Sequence, residues 1–120
     1  MKYLLLLAGE PGAGPAPGTE EFMEMLADYR GVTDAMASAG VLVDAGPLQD
    51  GDTATTVRVR DGQRLVTDGP YAEIHEHLGG YYVLDCEDLD ATLGWAEKIP
   101  AARHGAVEVR PLLVLTDLPS

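Results

Sequence analysis

Asp68, Tyr71, Glu73, His75 and His77 fall within the single stretch DGPYAEIHEH. Residues of these types so close together suit proton transfer. An imidazole exchanges a proton near neutral pH, and a carboxylate beside it orients the ring and stabilises its charged form. Asp68 would orient His75 or His77 if the chain between them folds back, and Tyr71 would contact a bound molecule. A plainer reading stands beside this one. In Asp-Gly-Pro the Asp accepts nearby backbone amides, the Gly frees φ and the Pro fixes it, which makes a turn with no function attached. The spacing opens a third reading. In an extended segment residues two apart share a face, so Glu73, His75 and His77 would point one way. Two imidazoles and a carboxylate are a metal-binding set, although no fourth ligand is evident. Acid–base chemistry, which needs no metal and no cofactor, is the expected use of these residues.

Further candidates flank this stretch. Alternation places Tyr81, Val83 and Asp85 on one strand face and Tyr82, Leu84 and Cys86 on the other, and Tyr82 is taken as a substrate contact. Arg58 and Arg60 alternate with Val57 and Val59, and Glu108 and Arg110 with Val107 and Val109. With the valines toward the helices, the charged residues share the opposite face. There they form ion pairs, or Arg58 or Arg110 holds an anionic substrate bidentately. His104, before Gly105, reads as a turn residue, and Cys86 as a small buried hydrophobe. No glycine-rich phosphate loop opens a helix. Ser38 and Ser120 are the only serines, and neither sits in a nucleophile elbow.

These residues need a scaffold. The chain of 120 residues reads as one domain over 1–120. It carries 8 Lys and Arg against 20 Asp and Glu, a formal charge of −12. That field repels nucleic acid and anionic membranes. The single cysteine, Cys86, rules out an intrachain disulfide and fits a cytoplasmic location. MKYLLLLAG has too short an apolar run for a signal peptide and reads as a buried strand. No stretch approaches the ~20 apolar residues of a membrane span.

The elements follow from periodicity and punctuation. Residues 2–8 form a strand and the Gly/Pro-rich 9–18 a loop. Thr19 caps a helix of about 20 residues whose apolar face carries Phe22, Met25, Leu26, Tyr29, Val32 and Met36, stopped at Gly40. Strands are expected at 41–48, 53–60 and 63–67, with Asp61-Gly62 as the hairpin turn. Residues 68–80 read as a loop and 80–86 as a strand. Asp88 caps a second helix ended by Pro100, and 106–115 is the last strand. The order predicts an α+β protein, a ferredoxin-like βαββαβ sandwich with an extra hairpin. Helices cover one face of such a sheet, yet the Leu4–Leu7 run has apolar side chains on both. A second copy of the chain is the expected cover, giving a homodimer with a pocket between sheet and loop.

VRDGQRLVTDGPYAE, LGGYYVLD and DLDATLGWAEKIPAARHGAVEVRPL resemble the YCII-related proteins of the DGPF type, with Tyr71 in the usual phenylalanine place. AGVLVDAGPL and TATTVRVRDG strengthen the resemblance, which covers nearly the whole chain. It implies a dimeric α+β barrel. It also implies either a small His/Asp enzyme without cofactor or a regulatory partner of an extracytoplasmic-function sigma factor. The family usually has something like Thr-Lys-Glu-Gln where this chain has Ile74-His75-Glu76-His77. The expected function is proton-transfer catalysis on an aromatic or polar metabolite: isomerisation, elimination or cyclisation. The alternatives are the regulatory or ligand-binding protein and the metal-binding module.

Overall fold

A computed structural model describes residues 1–10, 12–71 and 77–119. Strand β1 (Lys2–Gly9) buries Tyr3, Leu5 and Leu7 and leaves Leu4 and Leu6 half-buried on its other face. Helix α1 (Glu20–Ser38) starts where the Thr19 hydroxyl accepts the Phe22 amide at 3.2 Å. It ends before Gly40, whose φ of +77° suits a residue without a Cβ. Strand β2 spans Leu42–Pro47, and the hairpin strands are β3 (Thr55–Arg60) and β4 (Gln63–Asp68). Asp61 (φ +52°) and Gly62 (φ +75°) both take the left-handed conformation that a two-residue hairpin turn requires.

Strand β5 runs from His77 to Asp85, and α2 (Leu89–Ala96) begins where Asp88 accepts the Ala91 amide at 2.8 Å. Pro100 opens a further short helix, α3 (Ala101–His104), before strand β6 (Ala106–Pro111). The main sheet is antiparallel throughout, in the order β2-β5-β1-β6. The helices follow β1 and β5, so this is the ferredoxin-like sandwich. Its core lies toward the start of β1, where Leu5, Met36, Leu84, Thr92 and Ile99 are sealed from solvent.

Four expectations are corrected. His77 is not in a loop: β5 begins there and pairs it with Gly9. Val57 and Val59 of the hairpin, which forms a sheet of its own, are 61% and 63% exposed instead of meeting the helices. Alternation defines a face but not what that face meets. The second helix stops at Ala96, and Pro100 starts α3 by supplying its fixed φ there. The last strand stops at Pro111, which leaves Leu113 and Leu115 of the following tail 69% and 74% exposed.

Candidate functional site

The apolar stripe of α1 predicts a helix sealed against the sheet, but only Met36, near its C-terminal end, is fully buried. Phe22, Met25, Tyr29 and Val32 remain half-buried. Between the N-terminal half of α1 and the sheet lies a cavity of about 950 Å³, at the upper end of the range for small-molecule sites. It lies beneath α1, and the loop residues Glu10, Ala13 and Asp50 join the sheet in lining it. Phe22, Met25, Leu26 and Tyr29 form one wall, and the ends of β1 and β5 form the floor.

Glycines shape that floor for two different reasons. Between Leu7 and Ala8 the register of β1 on β5 slips, so that Leu7 faces Gly80, Ala8 faces Leu78, and Gly79 is the extra residue of a bulge. A Cβ on Gly80 would stand 2.9 Å from the Gly46 carbonyl of the neighbouring strand, so close strand approach excludes a side chain there. A Cβ on Gly79 would meet nothing nearer than the Leu7 carbonyl at 4.0 Å. Gly79 is thus free of any packing demand, although it lies in the cavity wall.

The polar groups come from separate elements. His77, the first residue of β5, reaches both the cavity and an adjoining recess of about 430 Å³, which it shares with Asp50 and Asp52. His104, at the end of α3, lines the cavity as well. A Cβ on Gly14 would come within 3.3 Å of its ring, so the Gly/Pro loop lies against that imidazole. Arg30 and Asp34 project from α1 into the same lining. Tyr82 is 5% exposed and places its hydroxyl 2.7 Å from Thr33 Oγ1, and the Thr33 hydroxyl donates to the Tyr29 carbonyl at 2.8 Å. Burial holds the Tyr29 phenol above its ordinary pKa, and the nearby Tyr82 adds to this. The Ala101 backbone and the Arg103 charge pull the other way.

The residues singled out from sequence divide sharply. His77 and Tyr82 share the cavity wall. Asp68 ends β4 with an exposed side chain outside that wall. Tyr71 is 73% exposed and lies under the Arg58 guanidinium, 5.2 Å from ring centroid to charge. Arg110 donates through Nε to Glu108 Oε2 at 2.8 Å, along one strand and on the face away from the helices. Glu73 and His75 lie outside the described residues. Among the described residues no three His, Cys, Asp or Glu side chains are grouped to hold a metal ion, and no helix is long and apolar enough to cross a membrane. Thr33 and Asp50 are cavity residues that the sequence did not point to, and Tyr29 and His104, expected as a helix-face residue and a turn residue, line the cavity as well. The i, i+4 spacing of Tyr29 and Thr33 puts them on one helix face and was the available signal.

An antiparallel ferredoxin-like sandwich with an imidazole-bearing cavity beneath its first helix defines the class of protein. Residues 1–116 match the YCII-related domain, and the chain belongs to that family. An uncharacterised protein of Rhizobium meliloti (strain 1021) is 34% identical, with all of both chains covered. Among solved structures, 5-chloro-2-hydroxyhydroquinone dehydrochlorinase from Burkholderia phenoliruptrix AC1100, in complex with 2,5-dihydroxybenzoquinone, is similar with a TM-score of 0.49. That match has 14% identity and covers 94% of each chain.

Proposed function

We propose that the protein is a small enzyme that moves a proton on an aromatic or polar metabolite held in the cavity beneath α1. The observation that carries this is the position of His77, on the wall of a ligand-sized cavity that also holds Tyr82. An imidazole can take a proton at one point of a substrate and return it at another. Isomerisation, elimination and cyclisation each need that exchange. Asp50 shares the recess of His77 and is the carboxylate assigned to it, in place of Asp68. The apolar wall of Phe22, Met25 and Leu26 suits a ring. The lone cysteine, buried Cys86, agrees with a cytoplasmic setting.

A second copy of the chain completes the proposed enzyme. Leu4, Leu6 and Val83 form an apolar band on the sheet face that the helices leave bare. The radius of gyration is 16.7 Å and the extents are 50 × 42 × 19 Å, against about 14 Å for a compact chain of this length. A thin slab with a detached, valine-bearing hairpin gains most by packing on its twin.

Binding is tested by recording backbone amide NMR shifts of the protein against a panel of hydroxylated aromatic compounds. Shifts concentrated on α1, the start of β5 and α3 support the reading. Binders that move only the bare sheet face contradict it.

A further inference from the structure

The hydrogens on two side chains fix how the cavity addresses its ligand. A threonine hydroxyl has one hydrogen to give. Thr33 gives it to the Tyr29 carbonyl one helical turn back, at 2.8 Å. The 2.7 Å contact between Thr33 Oγ1 and Tyr82 Oη must then be made with the Tyr82 hydrogen. A phenol also has only one hydrogen. Once it points at Thr33, Tyr82 Oη has only lone pairs left to offer.

We infer that Tyr82 receives its ligand as a hydrogen-bond acceptor, and hence that the bound molecule presents an O–H or N–H donor there. This rests on the reading of the cavity as the substrate site and narrows it. The favoured class is hydroxylated aromatics, in preference to their ethers, esters or carbonyl forms. Tyr82 is almost buried and bordered by the apolar residues of α1, so a ligand without a donor would leave that oxygen facing apolar atoms. A site built around a hydrogen bond rejects analogues that lack the partner group. Tyr29 lies in the same wall, and its phenol is held neutral by burial and by Tyr82, so no tyrosinate there inverts the preference.

The test uses two probes with one skeleton, resorcinol and 1,3-dimethoxybenzene, each titrated against the protein by NMR. The wild-type protein is expected to bind resorcinol about tenfold more tightly, the worth of one hydrogen bond. In Tyr82→Phe that preference collapses through weaker resorcinol binding. In Thr33→Val the Tyr82 hydrogen is released, and the ether gains affinity. Circular dichroism of both variants shows whether the fold is kept. Equal affinity of the two probes for wild type, or a preference unchanged in Tyr82→Phe, overturns the inference and leaves the cavity reading standing. Failure of both probes to shift any cavity residue of wild type overturns the cavity reading and the inference together.

Discussion

Tyr81 and Tyr82 are neighbours in the chain and bond in opposite directions. Tyr82 Oη meets Thr33 Oγ1 on α1 at 2.7 Å, whereas Tyr81 donates to Asp44 Oδ2 on β2 at 3.1 Å. Strand alternation sends them to opposite faces. The ring of Tyr81 also lies over Gly46, where a Cβ would come within 3.2 Å of it. The pair ties the edge strand and the first helix to the same point of β5, beside the cavity.

The hydrogen bond to Asp44, reinforced by the charge of that carboxylate, raises the Tyr81 pKa above its ordinary value of 10.0. Replacing Asp44 with Asn removes the charge. Spectrophotometric titration of the variant should show one tyrosine ionising at lower pH than in wild type. An unchanged titration curve would mean that the contact does not hold in solution.

Tyr29 supplies a prediction about alkaline stability. Burial, with Tyr82 as a second cause, makes its folded pKa higher than its unfolded one. The folded state therefore holds the Tyr29 proton more tightly. That contribution is fully present below the unfolded value of about 10 and is lost as pH rises through the folded value. Urea midpoints should thus fall above pH ~10, and the fall should be shallower in Tyr29→Phe. A variant with the same alkaline slope as wild type contradicts this assignment.

The two kinds of glycine near the cavity separate packing from function. A Cβ on Gly105 would strike the Ala8 carbonyl and come within 2.8 Å of Gly9 Cα, both backbone atoms that cannot step aside. Gly105→Ala should cost about 2–4 kcal/mol in urea unfolding. Gly79→Ala meets only the Leu7 carbonyl, at an ordinary contact distance of 4.0 Å, and should change stability by less than about 1 kcal/mol. Its methyl group narrows the cavity, so aromatic probe binding should weaken. Equal stability losses in the two variants would remove the distinction drawn between them.

The sheet was largely legible in the sequence because its signals are local. Thr19 and Asp88 announce the helix starts, Asp61-Gly62 the hairpin, and the alternating valines the strands. The cavity was not legible. Tyr29 and Thr33 sit on a helix face that reads the same whether it seals a core or roofs a hollow, and only the fold shows that Met36 alone is sealed. The start of β5 at His77 was hidden for a related reason. Leu78-Gly79-Gly80 reads as turn punctuation, but the register slip opposite Leu7 and Ala8 absorbs the extra glycine into a bulge. The hairpin's detachment was equally hidden, since Val57 and Val66 pair with each other without indicating any third surface.

The uncovered sheet face predicts the assembly state. Sedimentation equilibrium should give twice the protomer mass of 12.7 kDa. Leu4→Lys with Leu6→Lys should return it to one protomer, because these side chains flank the centre of the bare face. A wild-type chain that sediments as a single protomer at micromolar concentration contradicts the proposed dimer.

The central claim is that His77 carries the proton. The most direct test compares turnover of a hydroxylated aromatic substrate, found by the binding panel, in wild type, His77→Gln and His75→Gln. The account predicts a loss of about 10²–10⁴-fold in kcat for His77→Gln with the fold intact, and a smaller effect for His75→Gln. Full activity in His77→Gln would contradict it.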